Sequence, residues 1–250
     1  MNNYREGKRM INLAKRLFSL NRSICGPDIK KSFEIFQSIH REFKNIDFKT
    51  GEKVFDWEIP EEWIIHDAYI EHESGQKFAE FKKNNLYLVG FSKPIDLIMD
   101  KDELVKKIHT LKKQPLAIPY VTSYYSRDWG FCLDYKTYRQ LPKGKYKVKI
   151  DSNFKKGSLR LIEARIKGEF NSKEIFFSSY LCHPSMANNE LSGPVLISEI
   201  ISYIKEKFPN PKYNYRFVLL PETIGSIAYL SRFKDELKKN IICGFNLSCV

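Results

Sequence analysis

The chain has 250 residues, 42% of them hydrophobic, which is enough apolar content to fill the core of one large domain or two modest ones. Its formal net charge is +12, but the basic residues are spread along the sequence as lysine pairs, a pattern typical of solubility and electrostatic steering. No arginine-rich stripe or nucleic-acid-binding motif accompanies this charge, so we do not expect nucleic acid to be a partner of this segment.

The sequence also predicts where the protein is located. No apolar stretch is long enough to span a bilayer, and residues 1–6 lack the apolar segment of a secretion signal. The five cysteines form no CxxC pair and are odd in number, which favours small buried thiols in a reducing compartment over a disulfide framework. We therefore expect a cytoplasmic protein with no membrane partner, and homo-oligomer formation stays open.

Two helices are predicted at the start of the chain. From about Asn3 to Glu42, apolar residues recur at helical spacing, and the segment Cys25-Gly26-Pro27 divides them into two groups. Asp28 directly follows the proline, which makes it a candidate N-cap for the second helix.

The pattern changes twice after these helices. From about Phe48, short aromatic and alternating runs divided by turn residues predict mostly β structure, with one short helix near Lys101 to Leu111. After about Asp151, strands alternate with helices, which indicates an α/β core with a parallel or mixed sheet.

Polar side chains follow two of the predicted strands in this α/β region. His183 comes after the strand that ends at Tyr180, with Glu190 in the loop beyond it, and Glu222 comes after the strand that ends at Leu220. Open α/β sheets keep their ligands at the carboxyl ends of strands, so these side chains should converge. Imidazole and carboxylate groups are ligands of divalent metals that activate water. We predict His183, Glu222 and Glu190 as metal ligands, and Glu222 and Glu190 as the catalytic carboxylates.

Two other interpretations of this motif stay open. A histidine after a strand can simply bond a backbone carbonyl, and Glu222 can favour the first turn of a helix because of the helix dipole. Cys182, beside His183, could act as a nucleophile, but neighbouring residues of a strand point to opposite faces. The metal site is therefore the preferred interpretation.

The middle of the chain contains weaker candidates. His66 and His72 lie in a charged, turn-rich stretch and are expected to face solvent, and His109 is expected near a helix end, where it can interact with terminal carbonyls. The aromatic run from Tyr120 to Tyr125 can line a substrate cleft or belong to the core of the middle region.

The segments from Cys182 to Pro194 and from Pro221 to Ser226 resemble a bacterial aminopeptidase-like family linked with polysaccharide biosynthesis and related to the co-catalytic zinc aminopeptidases. The likeness covers nearly the whole chain. Its further motifs are Leu17-Phe18, Arg22-Ser23-Ile24, Val54-Phe55-Asp56-Trp57, Pro60-Glu61-Glu62-Trp63, the run from Ile118 to Tyr125, and Trp129-Gly130-Phe131-Cys132-Leu133.

The resemblance implies a division into domains. Residues 1–50 and 151–250 are expected to form a discontinuous α/β core, with a mixed sheet flanked by helices, and residues 51–150 an inserted β-rich domain. Members of the family continue into a C-terminal winged-helix domain. We expect that this last part is missing from the 250 residues.

The resemblance also implies one or two zinc ions and hydrolysis of an amide bond in a small peptide or amino-acid-modified sugar. The resemblance also implies three departures from the zinc aminopeptidases. Asn189 occupies the position of an aspartate that bridges the two metal ions, Pro221 occupies the position of a glutamate, and Ser248 occupies the position of an aspartate ligand. These departures keep a second interpretation open, in which the protein is a catalytically inactive binding or scaffold protein linked to surface polysaccharide biosynthesis.

Overall fold

The computed structural model describes residues 3–250, including the side chains of residues 5–170 and 172–250. The helices and strands within this range are, in chain order, α1 (Asn3–Phe18), α2 (Pro27–Ile39), β1 (Lys44–Lys49), β2 (Lys53–Val54), β3 (Trp57–Glu58), β4 (Glu62–His72), β5 (Lys77–Phe78), β6 (Ile95–Asp100), α3 (Lys101–Leu104), β7 (Ile108–His109), β8 (Phe131–Cys132), α4 (Tyr135–Arg139), β9 (Lys145–Lys155), β10 (Ser158–Ile166), β11 (Phe170–Tyr180), α5 (Asn188–Lys207), β12 (Tyr213–Leu220), α6 (Ile224–Asn240) and β13 (Ile241–Asn246). Within residues 3–250, no helix is both long and apolar enough to cross a membrane.

The chain divides into two compact units. The first contains the residues up to 62 together with residues 156–250, and the second contains residues 63–155. The division into domains at residues 51 and 151 stays a prediction, and residues 1 and 2 of the predicted core lie outside the described residues.

A mixed five-stranded sheet forms the centre of the first unit, in the order β1-β10-β12-β11-β13. The pairs β1–β10 and β10–β12 are antiparallel, whereas β11 pairs in parallel with both β12 and β13. The predicted α/β fold with a mixed sheet is therefore confirmed.

One face of this sheet is covered by α1, α2 and α5. Because side chains alternate along a strand, Phe217 and Leu219 of β12 point to the same face. They belong to a buried apolar cluster with Leu17 of α1, Phe33 of α2 and Ile201 of α5. The apolar residues whose spacing predicts the first two helices thus lie on the helix faces that are buried against the sheet.

The opposite face of the same strand carries a buried charge. Arg216 is fully buried, and its Nε lies 2.7 Å from Oε2 of Glu174 on β11. Its Nη1 donates to the Tyr229 hydroxyl of α6 at 3.2 Å, and that hydroxyl donates to Glu163 of β10. Carboxylates from two neighbouring strands therefore compensate the buried guanidinium beneath α6.

Helix α2 begins one residue before the predicted cap. Gly26 is the N-cap residue and Pro27 occupies the first helical position. The N–H at that position has no partner within a helix, so its absence in proline does not destabilise the helix. The prediction for Asp28 is therefore wrong: its Oδ2 instead accepts a hydrogen bond from the Asn21 N–H at 2.8 Å.

The second unit contains a four-stranded sheet in the order β5-β4-β9-β6 and the short pair β7–β8. The helix predicted near residues 101–111 is shorter, because α3 ends at Leu104 and a single 3-10 turn leads into β7, where Ile108 pairs with Phe131. His109 therefore ends a strand rather than a helix. His72 is buried, contrary to prediction, and its ring contacts the Ser74 hydroxyl and the Lys143 carbonyl.

Candidate metal centre

The sheet topology brings His183 and Glu222 together. Strands β11 and β12 are parallel neighbours, and their last residues, Tyr180 and Leu220, are paired. The Leu181 N–H extends this pairing by donating to the Leu220 carbonyl at 2.8 Å. His183 and Glu222 thus follow aligned strand ends, as the sequence predicts for residues that converge at one edge of a sheet.

The imidazole of His183 lies between two carboxylates. Its Nε2 is 3.2 Å from Oε2 of Glu222, and its Nδ1 is 3.3 Å from Oε2 of Glu190. The structure therefore brings all three predicted site residues into contact. The two carboxylates face different nitrogens of the ring, so they occupy different sides of the histidine.

The backbone at Glu190 turns its side chain back toward the strand end. Asn189 and Glu190 interrupt the first turn of α5, and Glu190 has φ 87°. Positive φ costs roughly 1–2 kcal/mol for a residue other than glycine, so contacts of the side chain must hold it. The buried Glu190 carboxylate accepts the His183 backbone N–H at 2.7 Å through Oε1.

A buried arginine contacts Glu190 from the segment between α1 and α2. The Arg22 side chain is fully buried, its Nε lies 3.5 Å from Oε1 of Glu190, and its Nη1 donates to the Leu17 carbonyl. In the sequence, Arg22 is predicted to be part of the family motif Arg22-Ser23-Ile24 and has no predicted role in the site. Arg22 stands between two polar residues, Asn21 and Ser23, so no local pattern marks it as a buried partner of a carboxylate.

Burial determines the protonation of this cluster. It raises the pKa of Glu190 to about 7, an effect that the neighbouring Arg22 opposes. It lowers the pKa of His183, which the charge of Glu222 opposes. Burial also raises the pKa of the Cys182 thiol well above its usual value, so this thiol keeps its proton and is poorly suited to act as a nucleophile.

The spacing between His183 Nε2 and Glu222 Oε2 suits two neighbouring ligands of a zinc ion. Two ligands at about 2.0 Å from a tetrahedral zinc ion lie about 3.3 Å apart. The 3.2 Å separation of His183 Nε2 and Glu222 Oε2 matches that value, and the Glu222 side chain is 51% exposed and thus accessible to an incoming ion. Among the described residues, Cys182, His183 and Glu190 also form a close buried group, but Arg22 already places a positive charge beside it.

Asn189, Pro221 and Ser248, the positions at which the resemblance implies a departure from the zinc aminopeptidases, carry neutral side chains. Asn189 is exposed, and its side chain is hydrogen-bonded to His183. Pro221 is buried and its carbonyl accepts the Gly225 N–H at 3.0 Å, which starts α6. The Ser248 hydroxyl donates to the Tyr180 hydroxyl at 3.0 Å. No carboxylate stands at any of these three positions.

Comparison with known proteins identifies relatives of the whole chain. The family model described as "Domain of unknown function (DUF4910)" matches residues 11–250. A candidate polysaccharide biosynthesis protein with an aminopeptidase-like domain, from Clostridium acetobutylicum, is 42% identical over 249 residues, which are 100% of this chain and 56% of that protein. The chain thus spans little more than half the length of this curated relative.

Two solved structures show the same fold. A candidate peptidase from Clostridium acetobutylicum, 41% identical, superposes with a TM-score of 0.93 over 99% of this chain and 57% of its own. A zinc aminopeptidase from Bacillus subtilis, 14% identical, superposes with a TM-score of 0.66 over 98% of this chain and 68% of its own. The fold is therefore aminopeptidase-like.

Proposed function

Since the chain belongs to the DUF4910 family and has an aminopeptidase-like fold, we propose that it forms the core of a zinc-dependent hydrolase that cleaves an amide bond. The observation that carries this proposal is the pair of ligand-type atoms, His183 Nε2 and Glu222 Oε2, at 3.2 Å. Because the Clostridium acetobutylicum relative is named for polysaccharide biosynthesis, we include amino-acid-modified sugars with small peptides as substrates.

Each residue of the cluster has a distinct role in this proposal. His183 and Glu222 hold the metal, which when bound supplies Lewis-acid polarisation of a carbonyl and activation of water. The Glu222 side chain is half exposed, so its carboxylate can be reached by an incoming metal ion and by substrate. Glu190 is buried against Nδ1 of His183, and we assign it the support of that ring rather than direct ligation.

The experiment measures bound zinc and amide hydrolysis in the same preparations. Purified protein is incubated with zinc, dialysed and assayed for metal by mass spectrometry, then tested on aminoacyl anilides and aminoacylated sugars. We expect stoichiometric zinc in the wild type and its loss in His183→Ala and Glu222→Ala. The exposed residues His66 and Glu206 provide matched controls as His66→Ala and Glu206→Ala. A wild type with neither zinc nor hydrolysis contradicts the proposal.

A second candidate is a binding protein that keeps the peptidase fold without catalysis. The neutral side chains of Asn189, Pro221 and Ser248 favour it, because the resemblance to the zinc aminopeptidases implies charged groups at these places. Stoichiometric zinc without hydrolysis of any amide tested is the outcome that supports this alternative.

A further inference from the structure

Arg22 is a buried arginine that lies beside the candidate metal centre. Its side chain is fully buried at the turn between α1 and α2, and only Nη1 makes a hydrogen bond of good geometry, to the Leu17 carbonyl. Removing a guanidinium from water costs several kcal/mol unless a carboxylate compensates it. Glu190 supplies that carboxylate, with Oε1 at 3.5 Å from Arg22 Nε.

The Glu190 carboxylate has close neighbours at both oxygens, and its hydrogen bond of good geometry is the one that Oε1 accepts from the His183 backbone N–H. Oε1 lies between Arg22 and the His183 backbone N–H, while Oε2 faces His183 Nδ1 at 3.3 Å. The positive φ of Glu190 shows that the backbone does not provide this position at low energy. Contacts of the Glu190 side chain must therefore fix its position, and Arg22 supplies the positively charged contact.

We propose that Arg22 is a positioning residue: it fixes the Glu190 carboxylate against Nδ1 of His183, so that the ring carries its proton there and presents Nε2 to Glu222. The part concerning zinc rests on the proposed function. The part concerning the orientation and tautomer of His183 does not depend on the proposed function, because both can be measured in the metal-free protein.

The first test reads the tautomer. The protein is labelled with nitrogen-15, and long-range proton–nitrogen correlation spectra of the metal-free form at pH 8 report which nitrogen of His183 is protonated. The sequence contains five histidines, so a His183→Gln spectrum assigns the signal. We expect the Nδ1–H tautomer in the wild type and a shift toward Nε2–H in Arg22→Met. An Nε2–H wild type, or an unchanged tautomer in Arg22→Met, overturns the proposal.

Arg216 provides the matched control. It is the other fully buried arginine of the first unit that is paired with glutamate, and it lies under α6 on β12. Arg216→Met should destabilise the fold as Arg22→Met does, yet leave the His183 tautomer unchanged. Arg22→Lys keeps a cation without the planar fork, so it should restore part of the wild-type tautomer and remains informative if Arg22→Met does not fold.

The second test measures zinc affinity by competition with a fluorescent chelator. Loss of an outer partner of a metal-ligating histidine typically costs about 10- to 100-fold in affinity. We expect a loss of that size in Arg22→Met, a smaller loss in Arg22→Lys and none in Arg216→Met. An Arg22→Met protein that binds zinc as the wild type does overturns the role of Arg22. A wild type that binds no zinc refutes the proposed function instead, and the tautomer experiment still decides the role of Arg22.

Discussion

His183 Nε2 and Glu222 Oε2 lie 3.2 Å apart at the carboxyl ends of two parallel neighbouring strands. The imidazole is buried, whereas the Glu222 side chain is 51% exposed. The pair therefore has a fixed member supported from within the fold and a member that reaches solvent. Because of this difference in burial, a substitution of Glu222 can test metal binding with little effect on the stability of the fold.

Glu222→Gln should weaken zinc binding with little effect on folding. The amide keeps the shape of the side chain but removes its charge. The loss in zinc affinity should therefore be at least the roughly 10–100-fold loss that is typical when a hydrogen-bond partner of a metal ligand is removed. Because the group is half exposed, the free energy of unfolding of the metal-free protein should change by less than about 1 kcal/mol. Chelator competition and urea unfolding measure the two effects, with Glu206→Gln as control. Equal zinc affinity in Glu222→Gln and wild type would remove Glu222 from the site.

The sheet edge that carries the site follows from local sequence patterns. The apolar runs that end at Tyr180 and Leu220 predict strands, and the helical patterns between them require a parallel connection. Both strand ends must then lie at one edge, so the convergence of His183 and Glu222 could be predicted without long-range information.

The contacts of Glu190 with His183 and Arg22 could not be predicted from local sequence patterns. The left-handed backbone of Glu190 depends on contacts with His183 and Arg22, and Arg22 comes from a distant part of the chain. Neither is visible in a local pattern. The helix predicted near residues 101–111 fails for a related reason, since pairing of Ile108 with Phe131 overrides helical spacing.

Gly193→Ala should destabilise the protein, whereas Gly7→Ala should stabilise it. A Cβ atom at Gly193 would lie 2.2 Å from the Leu247 carbonyl oxygen and 2.3 Å from the Ser179 hydroxyl oxygen, so α5 would have to move away from the sheet. We expect a loss of about 2–3 kcal/mol in the free energy of unfolding. Gly7 in α1 has no atom within 4 Å of such a Cβ, and alanine there should contribute about 0.5–1 kcal/mol. Urea unfolding measures both, and wild-type stability in Gly193→Ala would contradict this close approach.

Alkylation should divide the five cysteines into two classes. Cys25, Cys132 and Cys182 are buried, and burial raises the pKa of the Cys132 thiol to about 12 and that of the other two well above the usual value. Cys243 and Cys249 are exposed. Iodoacetamide at pH 8 should therefore add two labels to the folded protein and five in denaturant, as counted by mass spectrometry. Rapid labelling of Cys182 in the folded state would revive the thiol-nucleophile interpretation.

His40 should make the protein less stable in mild acid. Its ring is buried against Phe43, with Nε2 2.8 Å from the Ser198 hydroxyl, and burial lowers its pKa although Glu42 opposes this. The unfolded chain then binds a proton on this residue more readily than the folded one. Stability is complete above the unfolded pKa of about 6.5 and is lost as the pH falls below it.

His40→Gln isolates this contribution, because the amide can still bond Ser198 but does not titrate. The free energy of unfolding, measured in urea at pH 7.5 and 5.5, should fall less between the two values in His40→Gln than in the wild type. His66→Gln, at an exposed position of β4, is the matched control and should lose as much stability as the wild type. Equal losses in His40→Gln and wild type would mean that the buried ring accepts a proton in the folded state as easily as in water.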